Sequence, residues 1–336
     1  MDTPAHQSAA DRPRAEDGAA RVVVGVDGAP SSRAALEQAF ALAARRGAEV
    51  EVVATYPLPL PWFGAAPLFS GPDALHRATE SGARAVLEEV RRSPAVSRLP
   101  GIERVTARLT VSEGPAAAVL IERSRGAGLL VVGRDGRRSG RAAMIGSVAL
   151  HCVTGATCPV LVVHPEPPPR TSPPLVVVGV DGSPASAAAL RGAAAEAGRL
   201  GAELEVVAAF ERDGRWTALD AAAVSAFEGI RADIARGAAR MVQDALAALP
   251  GGAARPAVRT SVVEGAPAEV LADRAARAVL LVLGSRGRGG VRGLLGSVAL
   301  RCLSTARCPV LVLHGDQDAD RVVRAASTPE PVSAGR

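Results

Sequence analysis

The chain has 336 residues, 48% apolar and 2% aromatic, with 39 basic and 34 acidic side chains for a net charge of +5. That length suits about two domains, and so small a charge excess does not point to nucleic acid. No apolar run approaches the ~20 residues that span a bilayer. The opening MDTPAHQSAADRPRAEDGAA lacks the apolar stretch of a secretory signal, so the chain is read as cytoplasmic, with no membrane partner. Every basic residue is arginine and aromatics are scarce, so the core has to be built from Val, Leu, Ala and Ile.

Residues 1–20 are polar, rich in Ala and without periodicity, and disorder is expected there. RVVVGVD (21–27) reads as a buried strand, 32–46 as a helix closed by Gly47, and 48–56 as a second strand. A proline-rich loop (57–72) leads to a helix over 73–92 and a strand near 104–111. A helix follows Gly114-Pro115, with Pro early as helices tolerate it. LLVVG (129–133) is a short buried strand, 134–141 a Gly/Arg loop, 146–154 a helix and PVLVVH (159–164) the last strand.

The pattern then repeats. VVVGVDG stands at 22–28 and again at 176–182, 154 positions later, and GSVALHC…CPVLVVH returns as GSVALRC…CPVLVLH. Self-similarity at this spacing suits two copies of one domain. PEPPPRTSPP (165–174) would be a stiff linker. The second copy's strands fall near 175–181, 202–210, 257–263, 279–284 and 309–314, and 316–336 is expected to be a disordered tail. Alternating strand and helix implies an α/β fold: two tandem Rossmann-like domains (21–164 and 175–315), each a five-stranded parallel sheet with helices on both faces.

In such a sheet ligands sit beyond the carboxyl ends of the strands, where strand order reverses. Two segments point there. The first is the VGVDG end, with Gly25, Val26 and Asp27, and Asp181 in the second copy. The second reads Gly133-x2-Gly136-x9-Gly146-Ser147. Glycines let backbone amides approach an anion without a Cβ in the way, and Gly146-Ser147 opens a helix whose first N–H groups favour negative charge. Two duller readings stand beside these: Asp-Gly is a good turn pair, and Ser147 would serve as a helix cap. Neither a P-loop signature nor G-x-G-x-x-G after the first strand is present. Cys152, Cys158, Cys302 and Cys308 read as reduced buried thiols rather than metal ligands.

VVVGVDGAPSS and VVVGVDGSPAS, the glycine segments and the closing CPVLVVH and CPVLVLH strands together resemble the universal stress protein family in its tandem form. The resemblance implies ATP binding. It places Asp27 beside adenosine, Thr55 at the adenine through its backbone, Gly133 and Gly136 along ribose and phosphate, and Gly146 and Ser147 at the phosphates. In the second copy the matching positions are Asp181, Ala209, Gly284, Gly287, Gly296 and Ser297, with Asp27 or Asp181 available to Mg²⁺. It also implies pairing through the final strands, here within one chain, with a homodimer of whole chains as a further option.

The second copy departs at one place. Gly133 to Gly284 is an offset of 151 and Gly146 to Gly296 one of 150, so its loop is one residue shorter. A taut loop would move its donors out of register by about the ~3.3–3.6 Å that one residue spans, whereas a slack one would absorb the loss. Arginines at 134, 137, 138 and 141, and at 286, 288 and 292, read either as phosphate clamps or as a solvated loop. Three functions follow: an ATP-responsive regulator of the stress response, a protein-interaction module without nucleotide, or a slow ATPase.

Overall fold

The computed structural model describes residues 21–56, 72–135, 144–166, 171–211, 221–251, 254–287 and 295–326. In the first half, β1 (Arg21–Gly25), β2 (Glu49–Tyr56), β3 (Ala107–Glu113), β4 (Leu129–Gly133) and β5 (Val160–Val163) alternate with α1 (Pro30–Arg46), α2 (Pro72–Arg92), α4 (Ala116–Arg123) and α5 (Ser147–Gly155). A short helix, α3 (Pro94–Ser97), and a 3-10 turn at Ile102–Arg104 lead into β3. The second half repeats the plan with β6 (Leu175–Gly179), α6 (Pro184–Leu200), β7 (Glu203–Phe210), α7 (Ala221–Ala247), β8 (Val258–Glu264), α8 (Pro267–Ala275), β9 (Leu280–Gly284), α9 (Ser297–Thr305) and β10 (Val310–Leu313). The expected strands and main helices are present. The loop over 57–71 and the tails at 1–20 and 327–336 lie outside the described residues, as do linker residues 167–170.

Local chemistry sets the element ends. α1 starts at Pro30, whose fixed φ suits a first turn, and stops where Gly47 takes φ 60° and donates its N–H to the Ala43 carbonyl. α6 starts where the Ser183 hydroxyl accepts from the Ser186 N–H at 3.2 Å and stops at Gly201, φ 59°. Along β1, Val22 and Val24 join one core layer while Val23 joins the other. Apolar residues on both faces are what a parallel strand covered by helices on each side requires.

The strands form one ten-stranded sheet in the order β3-β2-β1-β4-β5-β10-β9-β6-β7-β8. Within each half all neighbours are parallel. At the seam β5 and β10 run antiparallel, with Val160 opposite Val312, Leu161 opposite Leu311 and Val162 opposite Val310. The two closing strands therefore abolish each other's exposed edge, and the halves pair through the strands that the sequence singles out.

The segment after β10 corrects one expectation. Residues 316–326 are not a disordered tail but a helix, α10 (Asp316–Ala326), with Asp316 and Asp318 in its first turn. Ala319 and Val322 are fully buried, and the helix packs on α6. The Ala-rich α6 leaves room for it: a Cβ at Gly192 would lie 2.8 Å from Leu313 and 3.8 Å from Val322.

The candidate nucleotide crevices

In each half the strand order reverses between the first strand and its fourth, and a cavity opens there. The first half's cavity is about 350 Å³ and the second's about 500 Å³. Gly25, Val26, Asp27, Thr55, Gly133, Gly146 and Ser147 all line the first. Asp181, Ala209, Gly284, Gly287, Gly296 and Ser297 all line the second. Gly136 lies outside the described residues, with Arg137, Arg138, Arg141, Arg288 and Arg292.

The strand-end aspartates do what the duller reading expects, and also face the cavity. The Ala29 N–H donates to Asp27 Oδ1 at 2.9 Å, and the Ser183 N–H donates to Asp181 Oδ1 at 2.9 Å. Each is a turn closed by an aspartate two residues back. Sequence reasoning passed over Ser32 and Ser186, five residues after each aspartate. The Ser32 hydroxyl accepts from the Asp27 N–H at 3.3 Å and donates to the Ala29 carbonyl at 2.9 Å. Ser186 makes the same two bonds in the second half, at 3.4 and 2.9 Å. Their recurrence at one offset in both copies was the available signal.

The serines opening α5 and α9 are not caps. Gly146 and Gly296 hold the cap positions, with ψ near 149° and 148°, and neither has a side-chain cap. Ser147 and Ser297 follow as the first helical residues and line the cavities. Each helix therefore presents unpaired first-turn N–H groups and a hydroxyl to its crevice, the usual arrangement for an anion.

The shortened second loop keeps its anchor. The Gly146 N–H donates to the Arg134 carbonyl at 2.8 Å, and the Gly296 N–H donates to the Ser285 carbonyl, the equivalent atom, also at 2.8 Å. The missing residue is absorbed between these anchors, so the two helix starts stay in the same register to their strands.

The glycines divide by cause. A Cβ at Gly133 would lie 2.7 Å from the Ser31 backbone, and one at Gly284 would lie 2.8 Å from that of Ala185. These two let the end of β4 meet the start of α1, and the end of β9 the start of α6, a packing requirement rather than an approach to a ligand. Gly287 differs, since its Cβ would meet Asp181 Oδ2 at 2.7 Å inside the cavity.

Arg134 is committed elsewhere than to a phosphate. It pairs with Asp135 at 3.1 Å and donates to the Ser304 carbonyl at 3.2 Å, in the last turn of α9 across the seam. The second half answers with His314, whose Nε2 lies 2.7 Å from the Val153 carbonyl in α5. Each half thus sends a basic group to the carbonyl end of the other's helix, where positive charge is favoured. Where the first crevice has Asp135, the second has Arg286.

The universal stress protein family model matches residues 19–164 and again 175–314. The chain belongs to the universal stress protein family. A universal stress protein of Mycobacterium tuberculosis is 39% identical over 208 residues, covering 59% of this chain and 66% of that relative, just under two thirds of its length. A universal stress protein of Mycobacterium bovis is 32% identical over 313 residues, covering 90% of this chain and 98% of its own. Among solved structures, a universal stress protein from Archaeoglobus fulgidus aligns over 90% of this chain and all of its own, with TM-score 0.59 and 18% identity, a likeness of fold.

No described helix is long and apolar enough to cross a membrane. No cluster of three or more metal-binding side chains occurs among the described residues. All four cysteines are buried and free, and burial pushes each thiol up to about 12.

Proposed function

We propose that each half of this universal stress protein binds an adenine nucleotide, ATP foremost, and that the chain acts as a nucleotide-responsive regulator in the stress response. The observation that carries the reading is the pairing, in both crevices, of a strand-end aspartate with an open helix start whose serine is not its cap. Asp27 and Asp181 would face the nucleoside. Ser147 and Ser297, with the first N–H groups of α5 and α9, would hold phosphate oxygens. Thr55 and Ala209, at the ends of β2 and β7, would offer backbone to the base. Mg²⁺ carried by the phosphates would find its protein oxygen at the same aspartates.

The shared anchor of the glycine loops supports binding in both halves. Arg286 favours the second for a highly charged tail, because the equivalent position in the first is Asp135. The test is direct. Protein purified without added nucleotide is denatured and the released small molecules are separated, and stripped protein is titrated with ATP by calorimetry. Two ATP per chain is the expected stoichiometry, and exchange of both serines for valine should weaken binding at least tenfold. Absence of heat for ATP, together with no released adenine nucleotide, would leave the interaction-module reading in its place.

A further inference from the structure

A third cavity, of about 200 Å³, lies at the seam between α1 and α6, near the starts of β4 and β9 and away from both crevices. Its walls are leucines from both halves, among them Leu42, Leu129, Leu280 and Leu311. Into this apolar chamber the sequence puts Arg46, whose side chain is only 4% exposed. One guanidinium nitrogen donates to Glu196. The Arg46 Nε is buried too, and it has no hydrogen-bond partner. An N–H left unpaired in the interior is costly, so an acceptor within the chamber that the Arg46 guanidinium can turn to meet would stabilise it.

The charges say of what kind. Glu196 also accepts from Arg199 at 2.6 Å, and Arg45 lines the same chamber. Two guanidiniums thus share one carboxylate, and a third stands close enough to feel its charge. Guanidiniums only donate, so the ligand has to offer an acceptor, and a negative charge there offsets the surplus. The leucine walls call for an apolar body, and the volume falls below the ~300 Å³ at which drug-sized sites begin, which is too small for a nucleotide.

We propose that this chamber binds a small carboxylate with an apolar tail, of the medium-chain fatty acid class, the carboxylate meeting the Arg45 and Arg46 guanidiniums and the tail lying among the leucines. Because both halves build the walls, such a ligand bridges them and stabilises the seam by binding the paired form alone.

Sodium octanoate, octan-1-ol and octylammonium chloride are each titrated into the full chain by calorimetry without nucleotide, and unfolding temperature is followed in parallel. Octanoate is expected to bind saturably, one per chain, and to raise the unfolding temperature, with octanol at least tenfold weaker and octylammonium giving no saturable heat. Arg46→Met should weaken octanoate at least tenfold. Leu280→Phe, which keeps Arg46 but fills the chamber, should do the same and guards against a folding defect in the first variant. No saturable heat with octanoate overturns the proposal, as does octanol binding equally well, or octanoate binding equally well to both variants.

Discussion

Arg46 and Glu196 form a buried ion pair across the seam, and neither has an ionic counterpart in the repeat. Shifted by 154 positions, Arg46 becomes Leu200 and Glu196 becomes Leu42. The pair therefore exists only when the first copy meets the second; two first copies would bring Arg46 to a leucine. Its two members depend unequally on it. Glu196, 2% exposed, is held to about 2: burial disfavours its charge, but Arg46 and Arg199 outweigh that. Glu196→Leu should cost about 3–5 kcal/mol, since it strands two guanidiniums. Arg46→Met should cost less than about 1 kcal/mol, because Arg199 still satisfies Glu196 and an unpaired N–H is removed. Urea unfolding of both variants measures the difference, and equal losses would contradict this account.

His314 makes the seam sensitive to pH. Its Nδ1 lies 2.8 Å from Asp318 Oδ2 and its Nε2 2.7 Å from the Val153 carbonyl, and both of those oxygens only accept. Both ring nitrogens must then donate, which requires the charged imidazolium. Burial works against that charge, and Arg286 does so too. The Asp318 hydrogen bond, the Val153 carbonyl and the Asp318 charge prevail, so its pKa is raised above 6.5. Arg321, which donates to Asp318 Oδ1 at 3.3 Å, shares the carboxylate. A raised folded pKa contributes stability fully present below the unfolded value and lost as pH rises through the folded one. Stability should therefore fall as pH is taken upward from about 6.5, and His314→Gln should flatten that slope. Denaturant titrations at a series of pH values, with the imidazole titration followed by NMR, provide the check.

The four thiols, pushed up to about 12 by burial, should be inert in the folded chain. A disulfide reagent at pH 8 is expected to modify none of them within minutes and all four once the chain is unfolded in guanidinium. Rapid native labelling would mean that α5 or α9 opens readily.

Most of the architecture was legible because each strand is written twice, and a Val-rich run bounded by Gly is read more safely when it recurs. What escaped depends on contacts between distant segments. α10 reads as a polar tail (DQDADRVVRAA), and its few apolar residues count only because Gly192 and the alanines of α6 offer a shallow face. Arg134 reads as a phosphate clamp or as part of a solvated loop until the seam brings Ser304 beside it. Gly133 and Gly284 read as cradle glycines, yet the backbone at the starts of α1 and α6 already explains them. The missing residue in the second loop raised a question of register that only the Gly296–Ser285 bond answers.

Two glycines three residues apart separate folding from binding in the second crevice. At Gly284 an added Cβ would stand 2.8 Å from the Ala185 backbone carbon and oxygen. Backbone cannot swing aside, so β9 and the start of α6 would have to part, and Gly284→Ala should cost about 1–3 kcal/mol, in the range of other overpacked sites. At Gly287 the added Cβ would stand 2.7 Å from Asp181 Oδ2, the far end of a side chain. Asp181 can turn away, giving up the turn bond from the Ser183 N–H without parting β9 from α6, but it then leaves the position from which it would meet a nucleoside. Gly287→Ala should therefore lower the urea midpoint less than Gly284→Ala does, while ATP stoichiometry falls from two per chain towards one. Calorimetry beside urea unfolding on the two variants distinguishes these effects. A Gly287→Ala protein that still takes two ATP with undiminished affinity would show that Asp181 is only a turn residue.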